Sequence, residues 1–317
     1  MKLIEKQFIF DSEKVIYGEC HASTVLALDD GTFVSAWFGG EKESRDDVMI
    51  WLSRCENGVW TSPVCVTKEE GIPHWNPVLY GEDDGSVTLY YKVGKKIWDW
   101  KTMFMKSFDG TKSWTGAQEL VQGDETGGRG PVRNKILKAS NGYLLAPAST
   151  ERERWLSFVD LFDGENWTKK EIPVKTEEKD IVKMIQPALW ESEKGHIHAL
   201  MRTSAGLIYR SDSSDFGQSW CKAYATNMPN NNSGIDCVKT HDGTVVLVCN
   251  PNGKDWGART PLSVFASKDN GKSFEKQLDL ETQEGEFSYP CIISKENKVY
   301  VTYTYKRKNI AFCEIEL

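Results

Sequence analysis

The sequence predicts an all-β fold, a six-bladed β-propeller built from similar units around a central channel. Aromatic residues recur at a fixed interval, strand-like runs recur with the same period, and a partial strand stands at each end of the chain. The aromatic residues are separated by 54, 53, 53 and 54 positions and are Trp60, Trp114, Trp167, Trp220 and Phe274. A period of about 50 residues with several strands per unit is typical of propeller blades.

Each of these aromatic residues closes a short polar turn. Segments 213–220 and 267–274 share the pattern S-x-D-x-G-x-S-aromatic, and segment 107–114 keeps its length with the glycine moved by one position. Segments 162–167 and 53–60 are divergent copies. An aspartate that accepts bonds from nearby backbone N–H groups, a glycine free to adopt positive φ and an anchoring ring form a compact hairpin tip. We interpret these segments as structural turns.

The second repeated feature is a run that opens with Gly or Asn and is apolar or alternates in polarity. The runs begin at Gly31, Gly85, Gly142, Gly195, Gly243 and Asn297. Such runs bounded by turn residues predict β-strands, and four strands fit one unit of this length. Segments 3–10 and 309–317 are also strand-like but have no full unit around them. We expect the first to complete the blade that the second leaves unfinished, which removes a sheet edge.

Composition restricts the classes of function. The repeat leaves no linker, so we expect a single domain over residues 1–317. The net charge of −7 leaves no basic stripe for nucleic acid. No apolar stretch is long enough for a membrane span, and the N-terminus carries no export signal. The eight cysteines show neither a C-x-x-C pair nor zinc-ligand spacing, so we expect reduced thiols, no metal and a cytoplasmic location.

The functional site is expected at one mouth of the central channel, where the innermost strands begin. The segments before the glycine-opened runs are predicted to be these strands, and each begins with a polar side chain. The residues at these starts are His21, Asn76, Asn134, Gln186, Ser233 and Tyr289. The ends of the second strands are expected to add Trp37, Lys92, Glu151, Arg202, Asn250 and either Tyr305 or Arg307, and the third strands are expected to start near Asp47 and Arg259.

The order of these residues resembles the sialidase (neuraminidase) superfamily, whose members carry Asp-box (BNR) repeats and fold as six-bladed propellers. The resemblance spans nearly the whole chain and rests on Asp47, Arg202, Arg259 and Tyr289 in that order. It implies that the two arginines clamp a substrate carboxylate, that Tyr289 is the nucleophile and that Asp47 is the general acid/base. Arginine suits the first role because its planar fork matches a carboxylate. One residue of strand register would exchange the directions of Asp47 and Asp46.

Two positions depart from the pattern of that family. Its first arginine would be expected in a motif like R-I-P, where this chain has the segment Cys20-His21-Ala22. Its glutamate that polarises the tyrosine is replaced here by Gln186. A neutral amide can hydrogen-bond a phenol but cannot take its proton. His21 is therefore the candidate to assist or replace the missing groups.

The leading hypothesis is a sialidase-like glycoside hydrolase that removes an acidic sugar, sialic-acid-like or uronic, from the non-reducing end of a small glycan. Further residues expected to contact this substrate are Arg133, Arg307, His74, Asn76, Asn134 and Trp37. The expected partner is this glycan alone, without cofactor, metal, nucleic acid or membrane.

Two alternatives remain open from the sequence. One is β-elimination from a uronic acid, with an arginine on the carboxylate, His21 or His74 as the base and Tyr289 as the acid. The other is a non-catalytic carbohydrate-binding propeller, in which aromatic side chains stack on sugar faces.

Overall fold

The computed structural model describes residues 1–175 and 182–317, and its strands form six antiparallel sheets, which confirms the predicted six-bladed β-propeller. In chain order the strands are β1 (Lys2–Phe8), β2 (Glu19–Ala27), β3 (Phe33–Gly40), β4 (Met49–Glu56), β5 (Val59–Trp60), β6 (Val64–Cys65), β7 (His74–Gly81), β8 (Val87–Val93), β9 (Lys101–Ser107), β10 (Gln118–Glu119), β11 (Leu137–Lys138), β12 (Leu144–Glu151), β13 (Trp155–Phe162), β14 (Trp167–Glu171), β15 (Met184–Glu191), β16 (Ile197–Thr203), β17 (Leu207–Ser213), β18 (Tyr224–Pro229), β19 (Asp236–Lys239), β20 (Val245–Cys249), β21 (Leu262–Ser267), β22 (Glu275–Glu281), β23 (Phe287–Lys295), β24 (Lys298–Tyr305) and β25 (Asn309–Glu316). A short 3-10 helix spans Ile97–Asp99.

Within each blade the strands are named in order from the channel outwards. The orders are β2-β3-β4-β5 with β6 also on β4, β7-β8-β9-β10, β11-β12-β13-β14, β15-β16-β17-β18, β19-β20-β21-β22 and β23-β24-β25-β1. The innermost strands of neighbouring blades contact one another, as β2 does with β7 and with β23. The starts of the innermost strands therefore meet around one channel.

The two ends of the chain close the ring in the sixth blade, as the strand-like termini predict. Strand β1 pairs antiparallel with β25. The pairing continues beyond β1, where the Ile9 N–H donates to the Ile310 carbonyl at 2.9 Å and the Asn309 amide donates to the Phe10 carbonyl at 2.8 Å. The side chains of Ile9 and Phe10 are buried. The N-terminal strand thus covers an edge that β25 would otherwise expose.

The repeated polar turns form one hydrogen-bond pattern. Asp109, Asp215 and Asp269 each accept the backbone N–H of the serine four residues later at 2.9 Å, and its hydroxyl at 2.5–2.6 Å. In the last of these turns Gly271 has a φ of +75°, and a Cβ there would lie 3.0 Å from the Trp190 ring of the neighbouring blade. The turns are structural, and a glycine lets this one approach the next blade.

The apolar core lies between neighbouring blades. Between the third and fourth blades Leu145 and Val159 pack in one cluster with Met184 and Ile197, all fully buried. Burying each such side chain contributes about 1.5–3 kcal/mol. The eight cysteines fall within the described residues and are free thiols, six of them buried. Within residues 1–175 and 182–317 no helix has the length and apolar character needed to cross a membrane.

Candidate active site

The innermost strands share a backbone feature at the mouth of the channel. In every blade one residue other than glycine adopts positive φ, between 45° and 71°, near the start of the innermost strand. These residues are Ala22, Asn76, Arg133, Gln186, Asn232 and Tyr289. In the blades of Ala22, Asn76, Gln186 and Tyr289 the strand register shifts at the same place. Left-handed backbone at such residues is costly and clusters at functional sites, and a bulge redirects the side chain it carries.

Tyr289 lies among three arginine side chains. Its hydroxyl accepts a hydrogen bond from Nη1 of Arg202 at 2.7 Å. The guanidinium carbons of Arg133, Arg202 and Arg259 lie 5.1, 5.6 and 5.4 Å from the centroid of its ring. A Cβ on Gly234 would lie 3.2 Å from this ring and 3.0 Å from Nε of Arg133, so the close approach of the fifth blade depends on glycine. Positive charge around a phenol stabilises negative charge on its oxygen.

Arg202 is held in place by two of the left-handed residues. Its Nε donates to Oδ1 of Asn232 at 3.1 Å, and its Nη2 donates to the carbonyl oxygen of the same residue. Its Nη1 donates to Oε1 of Gln186 at 3.3 Å as well as to the Tyr289 hydroxyl. Gln186 therefore acts on Tyr289 through the arginine they share. Because most N–H groups of Arg202 are occupied within the protein, its main role here is to hold the tyrosine oxygen.

Arg259 presents the more open guanidinium. Its Nη1 donates to Oε1 of Glu286 at 2.7 Å and to the Ser288 hydroxyl at 3.4 Å. Among the described residues no group accepts a hydrogen bond from its Nε or Nη2. A carboxylate can be bound by two such N–H groups of one fork. Arg259 is thus the better placed of the two predicted clamp residues to bind an acidic ligand.

Arg307 is neutralised by two carboxylates. Its Nε donates to Oε1 of Glu286 at 2.7 Å, and its Nη1 donates to Oε2 of Glu43 at 2.6 Å. Burial alone would raise the pKa of Glu286, but Arg259 and Arg307 outweigh it, and the pKa lies below the ordinary value. The Arg307 carbonyl also accepts the backbone N–H of Cys20 at 2.9 Å. The backbone of Arg307 therefore lies beside the position where the resemblance expects a first arginine.

His21 lies against Tyr289 and is neutral. Its ring centroid is 4.1 Å from that of Tyr289, and its Nδ1 is 2.8 Å from the hydroxyl of Thr304. Its Nε2 is buried and has no hydrogen-bond partner in the described part of the chain. Burial lowers the pKa of His21 well below the ordinary value, and the surrounding arginines lower it further. A neutral imidazole nitrogen of this kind can act as a proton acceptor.

The structure does not bring Asp47 to Tyr289. Its exposed carboxylate accepts the backbone N–H of Glu41 at 2.7 Å within the loop between β3 and β4, and that of Asp46 lies 3.5 Å from the Lys95 ammonium. Both aspartates line a cavity of about 910 Å³ on the first blade. The carboxylate that this loop extends to the arginine cluster is that of Glu43. The acid/base role of Asp47 therefore stays a prediction from the resemblance.

Two predicted contact residues brace the channel wall. Arg133 is buried, and its guanidinium donates to the carbonyls of Ile235, at 2.7 Å, and of Pro290. The amide of Asn134 is also buried and donates to the carbonyls of Gln186 at 3.0 Å and Pro187 at 2.9 Å. Arg133 contributes charge beneath Tyr289, and Asn134 ties the third blade to the fourth.

Trp37, His74 and Asn76 are buried, and their contact with substrate stays a prediction. The Trp37 indole is fully enclosed and donates to the Tyr17 hydroxyl at 3.0 Å. His74 places Nδ1 2.7 Å from the Thr67 hydroxyl, and burial lowers its pKa to about 4. Asn76 takes the left-handed backbone of the second blade. Since β3 extends to Gly40, Trp37 stands within the strand and packs into the core.

Sequence reasoning missed four residues that complete the site. Glu286 and Glu43 pair with the arginines, Asn232 orients Arg202, and Gly234 admits the tyrosine ring. One available signal was the run of three asparagines at 230–232, because asparagine tolerates positive φ better than most residues. Within those parts of the chain that the structure describes, no cluster of three or more His, Cys, Asp or Glu side chains is arranged to hold a metal ion.

Comparison with known proteins identifies the family. Residues 31–301 match the BNR repeat-like domain. A protein of unknown function from Dyadobacter fermentans is 17% identical, with 100% of this chain and 99% of that chain covered and a TM-score of 0.80. Hadza microbial sialidase Hz136 is 15% identical, with 98% and 68% covered and a TM-score of 0.81. NanB sialidase from Streptococcus pneumoniae is 13% identical, with 98% and 70% covered and a TM-score of 0.78.

These identities show a common fold alone. No curated protein matches the sequence. From the family match over most of its length and the shared propeller, the chain belongs to the BNR repeat-like domain family and is a sialidase-like protein.

Proposed function

We propose that this protein is a sialidase-like exo-glycosidase that releases an acidic sugar from the non-reducing end of a small glycan. The observation that carries the proposal is the Tyr289 hydroxyl, which Arg202 holds at 2.7 Å while Arg133 and Arg259 flank the ring. Such a concentration of positive charge around one phenol favours both an anionic nucleophile and an anionic ligand.

The open N–H groups of Arg259 would bind the substrate carboxylate in a two-bond contact. This contact would place the anomeric carbon against the Tyr289 oxygen, which would attack it to form a covalent glycosyl intermediate. Water would then release the sugar. Arg202 would stabilise the negative charge that returns to the phenol oxygen when the intermediate breaks down.

Gln186 changes how the tyrosine is activated. Its amide oxygen accepts a bond from Arg202, and as a neutral group it cannot take the proton of Tyr289. Activation in this protein would therefore rest on the surrounding cations, with neutral His21 as the nearest nitrogen base.

A second candidate reaction is β-elimination from a uronic acid. The observation that favours it is His21, which is neutral, buried and 4.1 Å from the Tyr289 ring between centroids. His21 would take the proton next to the carboxylate, Tyr289 would protonate the leaving oxygen, and Arg259 would neutralise the carboxylate. This scheme needs no glutamate where Gln186 stands.

One incubation separates these proposals. The purified protein is offered sialyl-lactose, a KDN glycoside and uronic-acid oligosaccharides, while released reducing sugar and the ultraviolet absorbance of an unsaturated uronate are followed. Sugar release without new absorbance supports the hydrolase, and absorbance that rises with release supports the elimination. If no substrate reacts but an acidic sugar binds, the enzyme proposals are contradicted in favour of a carbohydrate-binding propeller.

A further inference from the structure

We propose that Glu151 is the general acid/base of this site, a proposal that rests on the glycosidase function above. A glycosidase needs a group that protonates the departing oxygen and later takes a proton from water. In the described structure Asp47 is exposed and caps its own loop, and Glu43, the carboxylate that this loop extends to the arginine cluster, is paired with Arg307. Glu151 lies in the third blade, across the channel from the blade of Tyr289, and meets the requirement in place and surroundings.

Glu151 stands where a leaving group would depart. It is the last residue of β12 and pairs across the hairpin with Trp155. Its side chain lines a cavity of about 750 Å³ together with Trp98 and Trp155. Indole faces are suitable surfaces for the apolar faces of sugar rings. The cavity thus offers a surface for the remaining glycan, and of the three carboxyls that line it, those of Asp99, Glu151 and Glu153, only that of Glu151 belongs to a residue that is not exposed.

This cavity borders the tyrosine site through Arg202. The guanidinium carbon of Arg202 lies 6.0 Å from the centroid of the Trp155 ring and 5.6 Å from that of the Tyr289 ring. One arginine therefore lies against both rings, and its charge also acts on Glu151. A sugar held over Tyr289 would have its glycosidic oxygen on the side of Glu151.

Glu151 differs from the other carboxylates at the mouth in being free. Glu43 and Glu286 are tied to Arg307 and Arg259 by ion pairs. No described residue hydrogen-bonds to the carboxyl of Glu151, although the residue is part-buried. Burial raises its pKa; Arg202 opposes the rise and Glu43 adds to it. A raised pKa favours the protonated form of a carboxyl, which is the form that can donate a proton.

The reaction then proceeds by formation and breakdown of a covalent intermediate. The Tyr289 oxygen attacks the anomeric carbon while its proton passes to water and the bond to the leaving oxygen breaks. Glu151 gives its proton to that oxygen and becomes a carboxylate, and the remaining glycan leaves as an alcohol. Water then attacks the anomeric carbon and gives its proton to Glu151, while the bond to Tyr289 breaks and the tyrosine oxygen takes a proton back from water.

The test compares leaving groups in Glu151→Gln. On a glycoside whose leaving group is a sugar, we expect kcat/KM to fall at least about 10²-fold, the usual contribution of general acid catalysis. On the matching p-nitrophenyl glycoside, whose leaving oxygen needs no proton, formation of the intermediate should be nearly unchanged. The fall in activity at rising pH should also disappear from the pH profile. Glu165→Gln, an exposed change in the same blade, is the control and should match wild type.

Three results would overturn the assignment while leaving the glycosidase proposal intact. The first is equal loss on both substrates, which indicates a structural role, and the second is wild-type activity in Glu151→Gln. The third is a selective loss in Asp47→Asn instead. If the wild-type protein releases no sugar from any glycoside, the proposed function itself fails and the role of Glu151 fails with it. Direct titration of the Glu151 carboxyl by NMR gives a separate check, since a pKa at or below the ordinary value contradicts the proposal.

Discussion

Tyr289 reaches the arginines because its backbone is left-handed, as are the equivalent residues of the other five blades. The sequence placed Asn76, Gln186 and Tyr289 at these positions and missed the other three by one residue. The left-handed residue follows the predicted His21 in the first blade and precedes the predicted Asn134 and Ser233 in the third and fifth. Polar residues before apolar strand runs are visible in a sequence. The bulge that turns them is a property of strand pairing, and a shift of one residue reverses a side chain.

Because Arg259 has open N–H groups, we expect kcat/KM to depend on the carboxylate of the substrate. We expect Arg259→Met to lower kcat/KM for an acidic glycoside by about 10- to 100-fold, the value of one charge-assisted contact. The methyl ester of the same glycoside should react slowly and equally with both proteins. Steady-state kinetics on the two substrates measures this difference, with the distant Arg54→Met as control. An unchanged preference for the acid over the ester in Arg259→Met would contradict the clamp.

At the level of the elements, Lys92, which was predicted at the end of a second strand, connects the second blade to the third through hydrogen bonds. The Lys92 side chain is fully buried. Its ammonium group donates to the Thr102 hydroxyl on β9 and, at 2.6 Å, to the Arg129 carbonyl. Arg129 in turn forms a buried ion pair with Asp160 of the third blade at 2.7 Å. The sequence predicted a polar residue at this strand end. It could not show that the loop before the third blade folds over the ammonium group, because loop paths depend on tertiary contacts.

The burial of Lys92 predicts that the stability of the fold depends on pH. Burial lowers the pKa of Lys92 to about 7 from 10.5. Between these pH values the unfolded chain keeps a proton that the folded protein has lost, so the free energy of unfolding rises with pH, by at most about 1.4 kcal/mol per unit. Denaturant titrations from about pH 7 to about pH 9 should show this rise in wild type and in Lys112→Met, but not in Lys92→Met. Parallel curves for wild type and Lys92→Met would contradict it.

For the whole molecule, the repeat period was enough to predict the number of blades and their closure. Six units of about 50 residues leave a partial strand at each end, and the structure pairs these strands as β1 and β25. The period says nothing about which loops extend over the mouth. That is why the predicted Asp47 and the observed Glu43 differ although they share one loop.

Closure by β1 should determine whether the ring is stable. Deleting residues 1–12 removes β1 and the buried Ile9 and Phe10, each of which contributes about 1.5–3 kcal/mol. Because the whole fold is stabilised by only about 5–15 kcal/mol, we expect loss of the cooperative thermal transition. A circular permutant that links the termini and opens at the turn of residues 57–58 keeps β1 and should melt cooperatively. A truncated protein with the wild-type Tm would show that closure does not depend on β1.

The proposed function requires that Tyr289 react with an acidic glycan. The most direct measurement is turnover of the acidic glycosides by wild type and Tyr289→Phe, together with calorimetric affinity for the released acidic sugar. We predict that Tyr289→Phe loses turnover by at least about 10³-fold, because the attacking oxygen is gone, while it still binds the sugar through Arg259. Tyr300→Phe, far from the mouth, should behave as wild type. If Tyr289→Phe keeps the wild-type rate, the central claim is contradicted.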